Sequence, residues 1–165
     1  MISKTIKSLM FLSLLAITSG FASDKTYELN FTKETKGQIR HLKVYKDPSW
    51  VSKINFSNEK SAFFSSPKSM FEFYFTKDKW KPFNVSVVDD FEDIIVTDFK
   101  TLKAINAKKA YYVYGSNKIS PAGDDLAAFR SLNDAKLFME NNNGKRIFRF
   151  SQVQDALIRL LNGRM

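Results

Sequence analysis

The chain has 165 residues, with 26 Lys and Arg against 17 Asp and Glu, and a formal charge of +9. It holds no cysteine, one histidine and 16 phenylalanines. That excludes a disulfide framework, a thiolate nucleophile and thiolate metal ligation, and leaves stability to an aromatic-rich core.

Residues 1–22 have the form of a secretory signal peptide. Lys4 and Lys7 make a basic start, Leu9 to Ile17 is a short apolar run, and Gly20 and Ala22 fit a cleavage site after Ala22. The apolar run is too short to cross a bilayer. No cysteine lies near the cut to carry a lipid. The expected protein is exported, periplasmic, without a lipid anchor and not membrane-spanning. Removing Lys4 and Lys7 lowers the formal charge from +9 to +7. Such a surface suits solubility first, or else acidic partners or anionic lipid surfaces. Nucleic acid is not an expected partner in that compartment, and no binding motif for it is present.

Residues 23–38 are polar and read as a loose lead-in. "IRHLKVY" (39–45) alternates and reads as a strand, with Arg40, Leu42 and Val44 on one face. "DPS" (47–49) is a turn. "WVSKINF" (50–56) and "SAFF" (61–64) are strand-like. Ser66 before Pro67 starts a helix running to about Phe75. "FEDIIVTDF" (91–99) and "AYYVYG" (110–115) are strands rich in β-branched or aromatic residues. A turn-rich connection follows, and then the short apolar strand ending at Phe129. Ser131 and Asp134 form a capping box for the next helix, which Asn141 to Gly144 stop. "KRIFRF" (145–150) is a strand. "SQVQDALIRLLNG" is a closing helix over 151–163, with Ser151 and Gln154 as its capping box and an apolar stripe from Val153 to Leu161.

"AFFSSPKSMFEF" (62–73) and "AAFRSLNDAKLF" (127–138) share one pattern: a short strand, a serine cap and an amphipathic helix. Strands flank each. The fold class is therefore α+β, with two similar ββαβ units over about 39–100 and 109–150 plus the C-terminal helix.

The run "DFKTLKAINAKKAYYVYGS" (98–116), the turn "SPAG" (120–123), then "LAAF" (126–129) and "DAKLF" (134–138) resemble the NosL family of nitrous oxide reductase accessory proteins. The matching positions include Asp98, Thr101, Ala110, Tyr112, Gly115, Pro121, Gly123 and Phe129, and the likeness covers roughly residues 60 to 150. The resemblance implies two ββαβ units related to a lobe of organomercury lyase. It further implies handling of Cu(I) outside the cytoplasm, with nitrous oxide reductase or its maturation machinery as partner in denitrification. Family members typically carry a cysteine motif near the mature N-terminus and a methionine in a Pro-Met-Gly turn. This chain has no cysteine, and Ala122 stands at the methionine position. An alanine methyl cannot ligate a metal.

Soft donors that remain are His41, Met70, Met139 and Met165. Thioether and imidazole suit Cu(I) in an oxidising compartment. His41 with Met70 is the candidate metal site, with Trp50 near enough in sequence to shield an ion. Met70 among Phe71, Phe73 and Tyr74 also reads as core filling. "DDFED" (89–93) and Asp124–Asp125 are carboxylate clusters that read as solvated turns, without calcium-loop spacing. One histidine, no cysteine and no Gly-rich phosphate cradle give no support for an enzyme, so no catalytic residue is assigned. The alternative to copper delivery is a metal-free interaction or scaffold protein of the same fold.

Overall fold

The computed structural model describes residues 25–163. The expected signal peptide and Met165 lie outside the described residues. Ten elements follow in chain order. They are β1 (Ser52–Phe56), β2 (Ser61–Phe64), α1 (Pro67–Phe75), β3 (Phe91–Thr97), β4 (Ala104–Asn106), β5 (Tyr111–Tyr114), β6 (Leu126–Phe129), α2 (Leu132–Asn141), β7 (Arg146–Arg149) and α3 (Asp155–Leu161).

The two units are built alike. One sheet has the order β2-β1-β3-β4 and the other β6-β5-β7, every pairing antiparallel. In each unit the first strand sits between the second and the third, and a helix links the second to the third. β4 is an addition to the first unit. It pairs only three residues and gave no separate signal in the sequence.

Serine caps begin both long helices. Ser66 accepts from the Ser69 amide, with Pro67 at the first helical position. Ser131 accepts from the Asp134 amide. The reciprocal half of the Ser131–Asp134 capping box is missing, and the Asp134 carboxylate pairs with Lys100 instead.

The sheet β6-β5-β7 buries both faces. Tyr112, Leu126 and Ala128 join the main core with Ile54, Phe64, Phe71 and Phe73. Val113, Ala127 and Phe129 join Trp50 and Ala135 of α2 in a smaller core. The alternation along each strand therefore feeds two different apolar layers. Phe71 meets Tyr112 edge-on at 5.2 Å, which ties α1 to the second sheet.

Two sequence expectations need correction. Residues 39–45 are not a strand. The chain turns there: His41 adopts φ 55°, its amide donates to the Gly37 carbonyl, and the Gly37 amide donates to the Leu42 carbonyl. Leu42 and Val44, expected on one face, differ sharply, at 41% and 2% exposed. Its backbone pairing among the described residues is limited to one antiparallel bridge between Lys36 and Lys43, and charge adds to it. Arg40 reaches the buried Glu72 at 3.0 Å and Asn162 at 2.6 Å. The closing helix also starts later than Ser151. The Gln152 side chain accepts from the Arg149 amide at 2.7 Å, closing a 3-10 turn over Phe150–Gln152. Val153 is then extended and buried, so α3 begins only at Asp155.

Candidate functional site

The connection from β5 to β6 is where the sequence departs most from its expected chemistry. Gly115 opens it at φ 75°, a left-handed backbone that favours glycine. Its tip is closed by reciprocal bonds between Ser120 and Gly123, whose amides each donate to the other's carbonyl at 3.0 and 2.9 Å. Gly123 sits at φ 88°. The Ala122 amide donates to the Ser120 hydroxyl oxygen at 2.9 Å. The Ser120 hydroxyl donates to Asp125 at 2.7 Å. These local bonds fix the path of the tip.

Asp125 carries the turn onto the other unit. Its carboxylate accepts from the backbone amides of Lys68 and Leu126, each at 2.8 Å. Lys68 is in the first turn of α1. The second unit thus supplies an anion to the N-terminus of the first unit's helix, where free amides and the helix dipole favour one. Burial raises the Asp125 pKa from its ordinary value. Hydrogen bonds from Ser66, Leu126, Ser120 and Lys68 pull the other way.

The Lys68 side chain completes the arrangement. It is 1% exposed. Its ammonium donates to the Ala122 carbonyl at 2.6 Å and to the Leu161 carbonyl at the end of α3 at 3.1 Å. One cation therefore clasps α1, the turn tip and the C-terminus of α3. Burial lowers its pKa, opposed by the charge of Asp125.

The residues singled out for copper fall apart by environment. Met70 is fully buried in the main core. His41 is exposed at the loop that replaces the expected strand. Met139 packs against the smaller core, as does Trp50, whose ring meets Phe99 at 4.9 Å. Ala122 presents a carbonyl already held by Lys68. No group of three or more His, Cys, Asp or Glu side chains with metal-binding geometry occurs among the described residues. Two carboxylates of the "DDFED" run have partners of their own. Asp90 accepts from the Ser86 and Val87 amides, which lower its pKa. Asp93 pairs with Lys25 at 2.7 Å.

Lys68 escaped the sequence reading. One local signal pointed to it. A lysine in the first turn of a helix opposes the helix dipole, and such a violation marks a position set by tertiary contacts.

The NosL family model matches residues 28–158. The chain belongs to the NosL family. A solved NosL structure, the crystal structure of the copper chaperone NosL from Shewanella denitrificans, matches with TM-score 0.68. The match covers 81% of this chain and 99% of that one at 20% identity. No curated protein sequence matches the chain significantly. The NosL fold is thus present over nearly all of the described residues. At its turn Ala122 has no side-chain donor for a metal, and its carbonyl is held by the Lys68 ammonium. No helix among the described residues is long and apolar enough to cross a membrane.

Proposed function

We propose that the protein is an exported accessory protein of NosL type, acting in the periplasm in maturation of the copper enzyme nitrous oxide reductase. The observation that carries this reading is the NosL fold, shared with a copper chaperone and spanning both ββαβ units. The basic, apolar and small-residue order of positions 1–22 supports export. Copper delivery by this chain's own ligands would use thioether and imidazole donors, with His41 and Met70 as the pair, because cysteine is absent. Met70 has no exposed surface, so its sulfur would have to leave the core to meet an ion from solvent.

A second reading is favoured by the 2.6 Å bond from Lys68 to the Ala122 carbonyl. With the turn closed on an internal cation, the fold would act in maturation as a metal-free docking protein. Cu(I) titration of the mature protein against a competing chelator separates the two, run on wild type and Met70→Leu. A tight site in wild type that Met70→Leu loses supports delivery through that pair. Matching curves with no tight site in either end the idea of copper carriage by His41 and Met70 and leave the metal-free reading.

A further inference from the structure

The described surface carries a groove that neither reading uses. Two adjoining cavities form it, both lined by Lys25, Tyr27 and Arg130. One end includes Ile105 and Lys109 and has a volume of about 300 Å³. The other end reaches Lys103. One wall is therefore β4 and the residues around it. The opposite wall is Arg130, the first residue after β6, so the groove follows the seam between the two units. β4 is the last strand of its sheet.

Its chemistry is one-sided. Lys103, Lys109 and Arg130 are exposed, and their side chains make no hydrogen bond or ion pair with any described residue. Among the described residues no Asp or Glu lines either cavity. Lys25 is the exception among the cations, because Asp93 meets its charge at 2.7 Å. Ile105 and Ala110 lie beneath it, 3% and 1% exposed. Tyr27 is fixed over the groove by the Asn106 side-chain amide, which donates to its hydroxyl oxygen at 2.8 Å.

We propose that this groove docks an extended acidic segment of a partner protein. Three arguments select that occupant. The cations are spread along the groove rather than gathered at one point, which fits several carboxylates in a row better than a single small anion. The groove runs beside an edge strand, where an extended chain lies naturally. The partly exposed Tyr27 ring offers an apolar side chain a contact between the charged groups. The inference deepens the accessory-protein reading, from which it takes only the need for a partner, and it is independent of copper.

The test uses the metal-free mature protein at low ionic strength. The probe is a fluorescein-labelled synthetic peptide of alternating Asp and Ala, about eight residues long to span the groove in extended form. Its Asn-for-Asp counterpart is the uncharged control. Lys109→Glu with Arg130→Glu should weaken binding at least about tenfold, since each change replaces attraction by repulsion. Lys60→Glu with Lys136→Glu makes the same charge change at exposed positions outside the groove and should cost no more than about twofold. Arg130→Gln alone should fall between them. Equal weakening by the two double variants would mean general charge attraction and overturn the proposal. So would an absence of binding by the wild type. Displacement by inorganic phosphate as readily as by unlabelled peptide would mean a small-anion site and overturn the extended occupant. Because no copper is present, failure here leaves the titration of Met70→Leu unaffected.

Discussion

The two ββαβ units share strand order and helix capping, yet their helices live in different surroundings. In α1 every residue from Pro67 to Phe73 is buried, including Lys68 and Glu72. In α2 only Ala135 is. The reason is position. α1 is covered by its own sheet, by β6 of the other unit and by α3. α2 covers the outer face of β6-β5-β7 and meets solvent with the rest of its surface. One motif, used twice, serves as the centre of the molecule in one copy and as its flank in the other. A buried helix must then satisfy polar groups that a flanking helix leaves to water, and the Lys68 and Glu72 networks do so.

Core truncation should expose that difference most strongly. Phe73 has no accessible surface and meets Phe56, Phe64, Phe83 and Phe91. Phe73→Ala should cost about 3–5 kcal/mol of unfolding free energy. Phe138, the half-buried ring of α2, meets Phe99 and Phe129. Phe138→Ala should cost roughly 1–2 kcal/mol, because less apolar area is lost. Urea unfolding followed by fluorescence gives both numbers. Equal losses would deny that the units differ in their contribution to the core.

The next effect concerns the clasp. Lys68→Met removes a buried donor and leaves the Ala122 and Leu161 carbonyls without it. It also removes a cation that interacts electrostatically with Asp125. A loss of about 1–3 kcal/mol at neutral pH is expected. Exposed Lys60→Met should stay within about 0.5 kcal/mol. The pH profile gives a sharper signature. Burial lowers the Lys68 pKa below 10.5, so the unfolded chain holds this proton more tightly. Between the lowered value and 10.5 the unfolded state binds more protons, and stability rises with pH. Lys68→Met should lack that rise. Asp125 has the opposite sign of shift. Its raised pKa makes stability fall as pH climbs from 3.8 through the folded value. Without Lys68 that fall should extend to higher pH. A variant profile parallel to wild type on the alkaline side would show that the ammonium is not held as described.

What was legible in the sequence follows the range of each interaction. The Ser66–Pro67 and Ser131 caps are signals within four residues, and both formed. The strands at β3, β5 and β6 were legible because each carries a run of apolar, β-branched or aromatic residues, at 94–96, 111–114 and 126–129. The segment 39–45 misled because alternation describes a strand only where a sheet edge is free to pair, and here Arg40 is drawn to Glu72 instead. At the candidate site, the turn and Ala122 were visible through the family pattern. Lys68 was not, since its two carbonyl partners lie 54 and 93 residues away. Nothing local to "SSPKS" specifies where those carbonyls will be.

The smallest expected difference lies between the two caps. Ser131 is partly exposed, and its hydroxyl accepts from the Asp134 amide at 3.3 Å. Water can replace much of that bond, so Ser131→Ala should cost about 1 kcal/mol or less. Ser66 has no accessible surface, accepts from the Ser69 amide at 3.1 Å, and its hydroxyl lowers the pKa of the buried Asp125 carboxylate. Ser66→Ala would leave a buried amide unpaired and weaken the hold on Asp125, for a cost of about 2 kcal/mol. The stability of each variant in urea at neutral pH measures the gap. The Ser66 variant should also lose less at acid pH, where Asp125 is protonated and needs fewer donors. If both caps cost the same at every pH, the first unit's helix start is an ordinary cap and Asp125 does not bind the two units through it.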